Sequence, residues 1–120
     1  VRAEFPDAGD VMHSLLSWLE RHGFYALDYT SVCCPQQLSG RTKEGMLFYY
    51  RFRRGGGFLV ADWRANDLDE LITMHLHGEV QIEIELFGDS GHDGWEPLDA
   101  LTSAFYLLMA KSSVGAKDEQ

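Results

Sequence analysis

The chain has 120 residues, 45% hydrophobic, 12% aromatic and 24% charged, with 10 basic against 19 acidic side chains and a formal net charge of −9. This size accommodates one domain with a real core, and the apolar content excludes an intrinsically disordered chain. No apolar run reaches the roughly 18 residues of a membrane helix, and the opening residues VRAEFPDAGD lack the basic-then-apolar order of a secretory leader, so a soluble protein is expected; the only cysteines, the adjacent Cys33 and Cys34, offer no disulfide framework, so the expected location is cytoplasmic.

In chain order, DAGDVMHSLLSWLERHG carries Val11, Met12, Leu15, Leu16 and Leu19 at helical spacing. Asp7 or Asp10 caps the predicted helix and Gly23 ends it. FYALDYTSVC is a predicted strand with Tyr25, Leu27, Tyr29 and Cys33 on one side, stopped at Pro35, and PQQLSGRTKEG reads as a polar loop. MLFYYRFR and FLVADWR flank three glycines and predict a hairpin turning at Gly55 and Gly56. That register sets Phe52 against Leu59, Tyr50 against Ala61 and Phe48 against Trp63 on an apolar face, with Tyr49, Arg51, Arg53, Phe58, Val60 and Asp62 on the other.

NDLDELITMHLHG fits two templates. As a helix it has Asp67 and Glu70 in capping-box spacing and Gly78 as terminator; as a strand it pairs Leu76 with Val80 and Ile72 with Ile84. The helix is the favoured reading. EVQIEIELF alternates Val80, Ile82, Ile84 and Leu86 with Gln81, Glu83 and Glu85, the clearest strand pattern in the chain. After the polar stretch GDSGHDGWE, Pro97 opens a predicted helix that buries Leu98, Leu101, Phe105, Leu108 and Met109. The expectation is a single α+β domain over residues 1–111, a mainly antiparallel sheet of about four strands with N-terminal, middle and C-terminal helices, followed by a disordered tail at 112–120.

Charge is segregated along the chain. Residues 41–64 hold six basic side chains against two acidic, whereas residues 65–110 hold ten carboxylates and no Lys or Arg. Asp67, Asp69 and Glu70 cluster at a helix start, Glu83 and Glu85 share one side of a strand, and Asp89, Asp93, Glu96 and Asp99 follow. Crowded carboxylates repel one another and attract cationic partners. A structural role competes with that reading, because acids at a helix start complement its dipole and Arg51 or Arg53 are candidate cross-strand partners for Glu83 or Glu85.

Catalytic, metal and nucleic-acid motifs each fail at a required position. RGGGFLVA half-matches an RNA-recognition strand but places Gly56 and Ala61 where stacking rings belong, so no nucleic-acid partner is expected. Asp89, Gly91, Asp93 and Gly94 imitate the start of a calcium loop whose twelfth position is Ala100 instead of Glu. His75, His77 and Glu79 lack a further ligand at metal spacing, and the adjacent Cys33 and Cys34 do not form a C-x-x-C pair. Neither a metal nor a cofactor is expected. FGDSGHDG, Phe87 to Gly94, resembles the nucleophile block of the GDSL-type esterases and lipases, which implies Ser90 as nucleophile on a turn shaped by Gly88 and Asp89. That family's oxyanion-hole blocks and its Asp-x-x-His block follow the serine, whereas here 30 residues remain and His92 stands only two positions away.

Two functional expectations result. The first is a small acidic binding protein, of inhibitor or immunity type, that docks Asp67, Asp69, Glu70, Glu83, Glu85, Asp89 and Asp93 on a basic protein partner with Trp95 as aromatic anchor. The second is a small hydrolase or ligand-binding domain built on the 87–95 loop with Ser90, His92 or Asp93.

Overall fold

A computed structural model describes residues 8–31, 36–53, 56–87 and 98–118. Its elements are α1 (Ala8–Arg21), β1 (Tyr25–Ser31), β2 (Gln36–Arg41), β3 (Leu47–Arg53), β4 (Gly56–Asp62), α2 (Leu68–Leu76), β5 (Ile82–Phe87) and α3 (Leu98–Asp118). The five strands form one sheet in the order β1-β2-β3-β4-β5, and every neighbouring pair is antiparallel. The fold is therefore α+β as the residue pattern predicts, with five strands instead of about four.

The added strand is β2, which the sequence reading assigns to a loop. Its composition is polar, yet Gln36, Leu38 and Gly40 alternate inward against Gln37, Ser39 and Arg41. The inward Gln36 is fully buried and accepts a hydrogen bond from the Tyr50 hydroxyl at 2.5 Å, so its amide costs little in the core. Gly40 sits where an added Cβ would come within 2.7 Å of Leu27 and 3.0 Å of the Phe48 ring; its missing side chain lets β1 and β3 close over it.

Both short helices end in the same way. Gly23 (φ 91°) follows α1, with Phe24 N–H donating to Leu19 O and Gly23 N–H to Glu20 O; Gly78 (φ 70°) follows α2, with Glu79 N–H donating to Met74 O and Gly78 N–H to His75 O. These are Schellman closures, for which glycine is suited because the left-handed residue carries no Cβ. At the other end of α2, the Asp67 carboxylate accepts Glu70 N–H at 2.8 Å and the Glu70 carboxylate accepts Asn66 N–H at 2.6 Å. Residues 68–76 are thus helix, and the strand alternative is excluded.

The β3–β4 hairpin keeps its predicted faces but not its predicted register. Phe48 lies opposite Ala61, Tyr50 opposite Leu59 and Phe52 opposite Gly57, a shift of two residues that preserves the pleat and places Gly56 inside β4 opposite Arg53 instead of in the turn; Gly55 lies outside the described residues. A two-residue shift leaves every side chain on the same face, so burial pattern alone does not distinguish the two registers. The observed register requires glycine at 57, because a Cβ there would collide with the Arg51 carbonyl and approach Phe52 Cα at 2.8 Å. In β1 the predicted side is broken: Ala26 adopts φ 55° within a register shift, so Tyr25 pairs with Arg41 whereas Tyr29 pairs with Leu38 on the opposite face.

Helices cover both sides of the sheet. Val11, Met12, Leu15 and Leu19 of α1 and Leu101, Ala104, Phe105 and Leu108 of α3 pack on Leu38, Phe48, Tyr50, Phe52, Leu59, Ile82, Ile84 and Leu86. Phe24, Phe48 and Phe105 meet edge-to-face with centroids 5.2–5.7 Å apart at the centre of this layer. On the other side Leu71 of α2 packs with Leu47, Tyr49, Val60 and Ala65, joined by Phe58, Leu68, Ile72, Met74 and Val80. Having both faces covered explains why Leu47 to Tyr50 reads as an unbroken apolar run. Helix α3 continues through Lys111 to Asp118, beyond the end of the predicted helix.

Candidate functional site

The α2 side of the sheet carries Asp67, Asp69, Glu70, Glu83 and Glu85, and the strand register sets the neighbours of the two glutamates on β5. One row across the sheet runs Gln37, Arg51, Phe58, Glu85, and the next runs Ser39, Tyr49, Val60, Glu83. Strand β4 therefore stands between Arg51 and Glu85, leaving their backbones two strand spacings, about 10 Å, apart. The expected cross-strand pairing of Arg51 or Arg53 with Glu83 or Glu85 does not occur. Among the described residues neither glutamate has an ion-pair or hydrogen-bond partner, and both are exposed.

Asp67, Asp69 and Glu70 are exposed in and before the first turn of α2, where Asp67 and Glu70 are spent on capping. That end of the helix is moored toward β2, because Arg41 donates from Nη2 to Asn66 O at 3.2 Å while its Nη1 donates to Gly45 O at 2.9 Å. Helix α2 thus separates two groups of carboxylates, one at its start and one on β5. Asp89, Asp93 and Trp95 lie outside the described residues, as do Ser90, His92, Cys33 and Cys34. His75 and His77 diverge as helix geometry requires: the His75 ring lies against Phe58 with centroids 4.1 Å apart, and His77 is the exposed C-cap. No group of three potential metal ligands occurs among the described residues.

Asp62, read from the sequence as one more outward residue of β4, is fully buried and ties the connection around α2 together. Its carboxylate accepts Arg64 Nε at 2.9 Å, Arg64 Nη2 at 2.7 Å, Arg64 N–H at 2.7 Å and Gln81 N–H at 3.0 Å. Arg64 Nη2 also donates to Glu79 O at 2.7 Å, and the Gln81 side chain accepts Trp63 N–H at 2.9 Å. Burial alone would raise the Asp62 pKa, but the hydrogen bonds from Arg64 and Gln81 and the guanidinium charge win and hold it below its ordinary value. This removes Arg64 from the pool of cations able to neutralise β5.

A second polar group was missed from the sequence because half of it belongs to β2. Tyr49 has its ring beneath α2, with the residue only 6% exposed, and its hydroxyl donates to Gln37 Oε1 at 2.7 Å. Burial raises the Tyr49 pKa, and the nearby Arg51 guanidinium opposes that rise through its charge and a hydrogen bond. Gln37, Ser39 and Arg51 are half-buried on the same face. The visible signal was the alternation Gln37, Ser39, Arg41 against Gln36, Leu38, Gly40, which polar composition masked.

Comparison with protein-family models, with curated proteins and with solved structures gave no match. The site is accordingly read from its own chemistry.

Proposed function

We propose that this chain is a small acidic binding protein, of inhibitor or immunity type, whose carboxylates on α2 and β5 dock on a basic protein partner. The observation that carries the reading is the unneutralised pair on β5. Glu83 and Glu85 project from one face of an outer strand with no cation among the described residues to pair them, while Arg64 is committed to Asp62 and Arg41 to backbone carbonyls. Asp69 and Glu79 are exposed nearby in the sequence, their carboxylates without a partner among the described residues, inside a stretch of 46 residues that holds ten carboxylates and no Lys or Arg. Exposed acids of this kind add little to folding stability, so their accumulation is better explained by long-range attraction of a basic surface.

The test compares the native protein with a Glu83→Lys/Glu85→Lys variant. Immobilised native protein is used to retain a basic partner at low salt and release it at high salt, and association with the purified partner is then timed across ionic strength. The expected result is an on-rate that falls with salt and drops about 10–100-fold on charge reversal, with the melting temperature unchanged. An on-rate indifferent to both salt and the reversal would refute the proposal.

A further inference from the structure

Among the described residues helix α2 packs mainly on β3 and β4, and the half-buried Gln37 and Ser39 of β2 continue the same face of the sheet beside it as a ledge. Gln37 and Ser39 of β2 and Tyr49 and Arg51 of β3 occupy this ledge as two cross-strand pairs, Gln37 with Arg51 and Ser39 with Tyr49. Paired strands are about 4.8 Å apart and successive same-face residues about 6.8 Å, so the four positions fit beneath one small oxyanion. We propose that the ledge binds a single anionic oxygen group, a carboxylate or a phosphate monoester, with Arg51 supplying the charge and Gln37 and Ser39 supplying neutral donors.

Three observations carry this. First, Arg51 is a half-buried guanidinium whose cross-strand neighbours are Gln37 and Phe58; its one partner among the described residues is the neutral Tyr49 hydroxyl, and no described carboxylate pairs with it. A guanidinium partly withdrawn from water and held in place is normally matched by an anion. None of the described acidic side chains takes that role. Second, the hydrogen bond from the Tyr49 hydroxyl orients the Gln37 amide: Oε1 is occupied, so Nε2 presents its two N–H donors away from Tyr49. Third, Ser39 Oγ reaches only the Asp28 carbonyl at 3.5 Å, a contact long enough to be surrendered to a better acceptor. Tyr49 acts as a positioning residue, since its proton is already committed to Gln37.

The surrounding charges set the limits of the site. Arg53 lies on the same face one row beyond Arg51; Asp28 lies opposite Ser39 on β1, and Glu85 lies beyond Phe58. A net charge of −9 repels anions at long range, so recognition depends on local donor geometry and not on bulk attraction. Arg51 offers two parallel N–H groups to a carboxylate or phosphate, which is the geometry that makes such contacts strong.

The experiment is a two-arm NMR titration of the full chain with inorganic phosphate and, separately, with acetate, at constant ionic strength. The readouts are the Arg51 Nε–H, the Gln37 side-chain NH2, and the backbone amides of residues 37, 39 and 51. Saturable shifts at these groups are expected with a Kd on the order of 1–10 mM, consistent with one charge-assisted site. The arm that saturates at lower concentration names the phosphate or carboxylate class. Arg51→Gln is expected to weaken the response at least tenfold and Tyr49→Phe severalfold, whereas Arg53→Gln leaves it within twofold. Ser39→Asp gives a second route, because a carboxylate built into the ledge competes for Arg51 and repels an incoming anion, which abolishes the response. The proposal is overturned if neither anion gives saturable shifts at these groups in the native protein. It is equally overturned if the shifts spread over all arginine and lysine positions, or survive both Arg51→Gln and Ser39→Asp.

Discussion

Replacing Asp62 with Asn removes one charge and almost no volume, yet it strikes the point where the chain leaves β4 and re-enters the sheet at β5. Four donors converge on the two carboxylate oxygens, two from the Arg64 side chain and one each from the Arg64 and Gln81 backbones. An amide keeps one acceptor and turns the other into a donor, so at least one backbone N–H loses its partner whichever way the amide is oriented. Arg64 is 57% exposed on its side chain and recovers water, so most of the cost falls on the stranded N–H and the lost charge-assisted bonds. The sum is about 2–4 kcal/mol, or about 8–16 °C in Tm for a domain of this size. Urea unfolding followed by tryptophan fluorescence at pH 7 and pH 3 measures it. Because the folded-state pKa of Asp62 lies below the ordinary 3.8, its stabilisation is complete above the unfolded value and is lost as pH falls through the folded one. The gap between native protein and Asp62→Asn is therefore widest at pH 7 and narrows below about pH 4. A gap under about 0.5 kcal/mol at pH 7, or one that is unchanged at pH 3, would show that Asp62 does not anchor the connection.

Other outcomes follow from single contacts. Gly57→Ala is expected to cost about 1–3 kcal/mol because its Cβ meets the Arg51 carbonyl and Phe52, while Gly56→Ala, whose nearest neighbour is Leu86 O at 3.9 Å, stays within about 1 kcal/mol; paired thermal melts decide. Asp67→Ala removes the cap on Glu70 N–H and is expected to cost about 1 kcal/mol, read as lower exchange protection at the start of α2. Leu71→Ala removes the fully buried anchor of α2 and is expected to cost about 2–4 kcal/mol by urea unfolding, with protection lost in α2 before the sheet. Glu83→Lys/Glu85→Lys is expected to change stability by under about 0.5 kcal/mol, since neither residue has a folded-state partner among the described residues.

Local sequence determined the parts whose signal is local. The stripe of α1, the glycines at 23 and 78, the Asp67 cap and the alternation of β5 each act over a few residues, so their spacing alone specifies the element. The two faces of the β3–β4 hairpin were legible for the same reason, because side-chain parity in a strand has a period of two. Its register was not, since a shift of two residues preserves parity, and the close approach of Gly57 to Arg51 arises only once the strands are paired.

Tertiary structure alone decided what depends on distant partners. Strand β2 hides in a polar segment because Gln36 is made acceptable in the core by distant partners such as Tyr50, and Gly40 is required by the close approach of Leu27 and Phe48. The fate of the acidic residues was likewise a matter of strand order: in the sequence Arg51 and Glu85 are plausible neighbours, but β4 lies between them in the sheet. Charge composition belongs to the chain, whereas neutralisation requires contact, and contact is set by which strands the fold places side by side.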